Sequence, residues 1–125
     1  MTRDIVNTPN APSSSLYSQA VKAGGLVFVS GQVGQDPSTG KLAGPTVQEQ
    51  TRQCLKNIAT ILDAAGSSLE KIVSATFILR HPDDFPGMNA EWATWFPKDP
   101  PARQGASLPL DVDGLLVSFA AIALE

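Results

Sequence analysis

The sequence predicts an α+β domain of order ββαβαββ, a single sheet with two helices on one of its faces. Three observations lead there. Period-two stretches flank the Gly24-Gly25 pair and recur near both 72–79 and 115–124, a helical period runs from Thr46 to Ala65, and a shorter one runs from Asp84 to Phe96. No repeat and no long linker divides the 125 residues, a length that suits one domain, 1–125, with a real core.

The elements follow in order. "LYSQAVKAGGLVFVSGQVG" reads as two strands joined at Gly24-Gly25, where glycine accepts the positive φ of a tight hairpin. "QDPSTGKLAGP" is rich in turn residues. From Thr46 onward Val47, Thr51, Cys54, Leu55, Ile58, Ile61, Leu62 and Ala65 recur at helical spacing, and Gly66 stands where a C-terminal cap belongs. "KIVSATFILRHP" is a strand with Val73, Ala75, Phe77 and Leu79 on its core face. In the second helix Met88, Trp92 and Trp95 share one side, and Pro97 and Pro100 end it. A short strand after Arg103, a turn at Asp111–Gly114 and a last strand from Leu115 to Leu124 complete the chain.

The last strand points to a partner. Leu115, Val117, Phe119, Ala121 and Ala123 form one face, Leu116, Ser118, Ala120, Ile122 and Leu124 the other, and both are apolar. Such a strand belongs in a sheet covered on both sides. Two helices cover one side, so a second copy of the same protein is the expected cover for the other.

Composition excludes several function classes. Nine Lys and Arg against twelve Asp and Glu give a net charge of -3, and the basic residues are scattered, which argues against a nucleic-acid footprint. No apolar run approaches the ~20 residues of a membrane span, and the N-terminal residues hold no apolar signal core, so a cytoplasmic, membrane-free protein is expected. Cys54 and His81 are single examples of their types, which leaves no material for a disulfide, a zinc cluster or a Ser/His/Asp triad. Whatever chemistry the protein performs is expected to use other groups.

The most pointed short stretch is "PPARQG", in which two prolines hold the chain extended and deliver Arg103 at the mouth of an apolar segment. By residue type Arg103 suits either a surface or interface ion pair or a ligand clamp. Tyr17 suits a ligand contact or an amphipathic core aromatic, Ser30 a turn or a site, and Trp92 and Trp95 core packing or ligand stacking. Cys54 falls on the buried side of the first helix and reads as core, while His81 before Pro82 reads as a loop residue.

"LYSQAV", "VFVSGQVGQDPSTGKL", "QTRQCLKNIATILDAAGSSLEKIV", "MNAEWATWF", "PPARQG" and the terminal "AAIA" together resemble the Rid family, of the YjgF type, formerly called endoribonuclease L-PSP. The resemblance spans nearly the whole chain. It implies a chorismate-mutase-like fold, a homotrimer packed as a central barrel of sheets, and ligand clefts between neighbouring subunits. It also implies hydrolysis of small 2-imino acids, such as 2-aminoacrylate and 2-iminopropanoate, to 2-keto acids and ammonia, with neither metal nor organic cofactor. The family's tyrosine matches Tyr17, the serine of its SGQ turn matches Ser30 beside Gly31, and its carboxylate-binding arginine matches Arg103. Catalytic roles therefore fall on Tyr17, Ser30 and position 118, and substrate binding on Arg103, Gly31 and Gly105. Two positions depart. Gly105 stands where the family has a cysteine, whose place a backbone group holding a water is expected to fill, and Ser118 stands where it has an acid. A carboxylate beside the attacking water is the natural general acid/base for imine hydration, and a serine hydroxyl alone is a poor one. The resemblance thus implies a deaminase, and Ser118 implies as its alternative a trimer that binds small carboxylates with weak turnover. A ribonuclease would need phosphate contacts that this surface does not supply.

Overall fold

Glycine opens the architecture. In the computed structural model, which describes residues 2–125, Gly24 and Gly25 take φ of 60° and 80° and close a two-residue hairpin. The elements are β1 (Asp4–Val6), β2 (Ala20–Ala23), β3 (Leu26–Val33), α1 (Val47–Ala64), β4 (Ile72–Leu79), α2 (Phe85–Trp95), β5 (Ala102–Ser107) and β6 (Val117–Leu124). They form one six-stranded sheet of order β1-β2-β3-β6-β4-β5. Neighbours run antiparallel except β4 and β5, which are parallel.

The helix α1 starts where the sequence switches period. Thr46 accepts a hydrogen bond from the Glu49 N–H at 3.2 Å and so caps the first turn, and its hydroxyl donates to the Glu49 carboxylate at 2.7 Å, which holds the capping oxygen in place. At the other end Gly66, at φ 80°, lets its own N–H reach Asp63 O and the Ser67 N–H reach Leu62 O. Between these caps Cys54, Leu55, Ile58, Ile61 and Leu62 are at most 1% exposed and pack on β3 and β6. Each large aliphatic so buried contributes roughly 1.5–3 kcal/mol, more than the helix propensity of its residues supplies. α2 packs on α1 and closes the core with Met88 and Trp92, whose indole stacks on Phe119 at 5.7 Å and 18°.

Both helices therefore lie on the sheet face formed by Val27, Val29, Phe77, Val117, Phe119 and Ala121, all buried. The opposite face carries Phe28, Ser118, Ala120 and Ile122, half-buried or exposed, with no helix over it. The two-faced character expected of the last strand is what the fold displays.

Five expectations change, the smallest being that the last strand begins at Val117 and not at Leu115. β1 is an additional strand, paired Asp4↔Lys22 and Val6↔Ala20; three residues are too short to display a period of two. The first strand of the hairpin begins at Ala20 and not at Leu16, so Tyr17 sits on a loop. Arg103 lies inside β5 instead of preceding it. On β4 a register irregularity between Ile72 and Ser74 turns Ile72 into the core and leaves Val73 43% exposed, where strict alternation placed Val73 inside.

Candidate functional site

The loop that carries Tyr17 is held by buried amide groups. Gln19, 4% exposed, donates through Nε2 to the carbonyls of Thr8, Ala11 and Pro12 at 3.0, 3.1 and 3.0 Å, and its Oε1 accepts from the Thr8 N–H at 2.7 Å. Ser30 fixes the next residues. Its Oγ donates to Ser18 O at 2.6 Å and its N–H donates to Gln19 O at 2.9 Å. With its proton committed to Ser18, the Ser30 hydroxyl offers a ligand only its lone pairs. Tyr17 is 58% exposed, and with Gly31, Gln32 and Pro12 it lines a small hollow of about 70 Å³.

Gly31 and Ser118 meet across β3 and β6. A Cβ on Gly31 would lie 3.6 Å from Ser118 Oγ, and Ser118 pairs with Val33 on one side and Ile78 on the other. Since Val117 and Phe119 point into the core, Ser118 points to the uncovered face. Tyr17, Ser30, Gly31 and Ser118 are thus brought together at one end of β3 and β6.

Arg103 and Gly105 are not with them. They lie on the edge strand β5, separated from β6 by β4, and the Arg103 side chain extends on the helix side of the sheet. There its guanidinium carbon is 5.0 Å from the Trp92 ring centroid, 5.1 Å from Phe77 and 5.7 Å from Phe85. Three rings at this distance stabilise a cation by its attraction to their faces. Among the described residues the ion pairs are Lys22–Glu125 and Arg52–Glu91, so no carboxylate neutralises Arg103. Burial lowers its pKa from the usual value, and it remains a cation. A guanidinium set among rings with no acid partner keeps its N–H donors for a ligand and is suited to grip a carboxylate.

Asn89 escaped the sequence reading. It lies one turn from both Phe85 and Trp92, and its Oδ1 is buried without a hydrogen-bond partner. Only its proximity in the folded helix to the Arg103 cage marks it, since an asparagine inside an amphipathic helix carries no signal of its own.

The remaining candidates are structural. Cys54 is fully buried, with Sγ 3.3 Å from Gln32 O, and burial pushes its thiol well above the usual range, so it is no nucleophile. His81 is exposed at the exit of β4. Trp92 packs in the core, as its helical spacing predicts, and its ring also lies against Arg103. Trp95 is half-buried and donates from Nε1 to Glu91 at 2.8 Å. Among the described residues no group of three His, Cys, Asp or Glu side chains is placed to hold a metal ion, and no helix is long and apolar enough to cross a membrane.

A single sheet with two helices on one face, and this order of elements, define an α+β protein of the YjgF type. The profile of the endoribonuclease L-PSP family matches residues 8–124. A RutC family protein of Pyrococcus horikoshii is 41% identical over 127 residues, covering 98% of each chain. The 2-iminobutanoate/2-iminopropanoate deaminase of Rattus norvegicus is 39% identical over 127 residues, covering 98% of this chain and 90% of its own. The crystal structure of YyfA from Yersinia pestis, a protein of the conserved Rid family, superposes with a TM-score of 0.94 at 34% identity, covering 99% of this chain and all of that one. The chain belongs to the endoribonuclease L-PSP family, which is that of the Rid proteins.

Proposed function

We propose that the protein is a homotrimeric Rid-type deaminase that hydrolyses small 2-imino acids, such as 2-aminoacrylate and 2-iminopropanoate, to 2-keto acids and ammonia. The observation that carries this reading is Arg103, a cation held against three rings with no acid partner, on a chain 39% identical to a 2-iminobutanoate/2-iminopropanoate deaminase. In the proposed reaction Arg103 grips the substrate carboxylate, and an enamine such as 2-aminoacrylate becomes the imine by gaining a proton on its methylene carbon and losing one from nitrogen. Water adds to the C=N carbon to give a carbinolamine, and with both protons of that water passed to nitrogen ammonia leaves and the C=O of the keto acid remains. Within one chain Arg103 lies on the opposite side of the sheet from Ser30, Gly31 and Ser118. The uncovered face therefore supports a cleft shared by neighbouring copies, with Arg103 from one and Tyr17, Ser30, Gly31 and Ser118 from the next.

The acid position supports a second reading. Ser118 can hold the attacking water but lacks the carboxylate that a general acid/base provides, so the same cleft would bind 2-keto or 2-imino acids and turn over slowly. One assay separates the two. A pyridoxal-phosphate enzyme generates 2-aminoacrylate, and keto-acid release is timed with and without the protein. Catalytic acceleration at substoichiometric protein supports the deaminase. No acceleration, with pyruvate binding retained, supports the binding trimer, and the loss of both refutes the site.

A further inference from the structure

Gly105 has an ordinary backbone, for it is not among the glycines of positive φ. What it lacks is room. A Cβ built there would lie 2.5 Å from Cδ1 and Cγ of Phe77 and 2.5 Å from the Phe77 carbonyl oxygen, distances that real Cβ atoms do not tolerate. Phe77 and Gly105 are register partners in the parallel β4–β5 pair, and Arg103, two residues earlier on the same side of β5, is paired with the small Ala75. The Phe77 ring that occupies the space above Gly105 is also one of the rings facing the Arg103 guanidinium.

We infer that Gly105 and Phe77 form a steric pair that positions Arg103. The missing side chain lets β5 lie close against β4, and the ring that fills the vacated space supplies a wall of the cage in which the guanidinium rests. Gly105 is then a positioning residue acting through Phe77, not a ligand group in its own right. Any side chain at 105 must push the ring aside and β5 outward, because one of its contacts is backbone that cannot rotate away. The consequence falls on Arg103, whose approach to a ligand depends on the same strand. This inference rests on Arg103 being the carboxylate clamp proposed above.

The test is Gly105→Ala, with Phe77→Leu as a second variant that leaves β5 uncrowded but removes the ring. Two quantities are read on the full chain: the NMR resonances of the Arg103 guanidinium, displaced in the wild type by the ring currents of its cage, and pyruvate affinity by calorimetry. In Gly105→Ala the resonances should move toward those of an uncaged arginine, and pyruvate binding should weaken on the order of ten- to a hundredfold, as expected for a misplacement near 1 Å. In Phe77→Leu the resonances should move the same way, with a severalfold loss of affinity. A folded Gly105→Ala with wild-type resonances and affinity overturns the inference. Should that variant fail to fold, unchanged resonances in Phe77→Leu overturn it equally. If the wild type does not bind pyruvate, the proposed function falls, and the resonances alone still decide whether the pair positions Arg103.

Discussion

Replacing Gln19 by alanine should be one of the most damaging single changes outside the apolar core. The side chain makes four hydrogen bonds, three as donor and one as acceptor, to residues 8–12, and Thr8 and Ala11 are 8% and 5% exposed. Truncation leaves the Thr8 N–H and the Thr8 and Ala11 carbonyls inside the protein without this partner. An orphaned buried group costs about 1–3 kcal/mol, and water entering the vacated space recovers part of that, so a loss of about 3 kcal/mol is expected. For a chain of this length that lowers Tm by roughly 12 °C. Gln19→Glu should be no better, since it keeps the acceptor but turns an oxygen toward three carbonyls. Because Ser18 and Gln19 are tied to Ser30 and Tyr17 adjoins them, the loosened loop should also weaken pyruvate binding through Tyr17. Thermal unfolding and calorimetry on matched samples measure both effects. A Gln19→Ala protein melting within about 2 °C of wild type would refute the accounting, because it would mean that water or a rearranged loop replaces all four bonds without loss.

Other expectations bear on charge and chemistry. Burial alone would raise the Glu91 pKa, but hydrogen bonds from Arg52 and Trp95, with the Arg52 charge, outweigh it and hold the carboxyl below the ordinary 4.5. Such a group stabilises the fold above its unfolded pKa and loses that contribution as pH falls through the folded value. Glu91→Gln should thus cost about 1 kcal/mol near pH 7, with the gap narrowing below pH ~4.5; urea midpoints that differ equally at pH 7 and pH 3 would contradict this. Arg103→Ala should weaken pyruvate binding by ~2–5 kcal/mol, and Arg103→Lys should restore little, since an ammonium neither forks to a carboxylate nor lies flat on rings; equal affinities by calorimetry would make Arg103 purely structural. Ser118→Glu should raise the deamination rate about tenfold or more if the missing acid limits turnover, provided the variant keeps its assembly and melting temperature; an unaltered rate in such a variant would show that position 118 is not limiting.

The helices, the Gly24-Gly25 turn, the Gly66 cap and the apolar faces of β6 were all readable from the chain, because each rests on residues a few positions apart whose periodicity or φ preference is local. Arg103 could be singled out for the same reason: two prolines and an alanine leave it conspicuous. Its surroundings were not readable. Phe77 comes from β4 and Phe85 and Trp92 from α2, and no pattern within either element says that their rings converge on one cation. Gly105 looked like a position missing a side chain until the β4–β5 register put Phe77 over it. Val73 was assigned to the wrong face because alternation assumes an unbroken ladder, and the irregularity after Ile72 is set by pairing with β6. The period of an element is thus written along the chain, whereas which face a strand buries beyond a break in its ladder, and which residues meet, are decided by register and packing between elements, where hydrogen-bond geometry and excluded volume choose among faces that the sequence leaves equivalent.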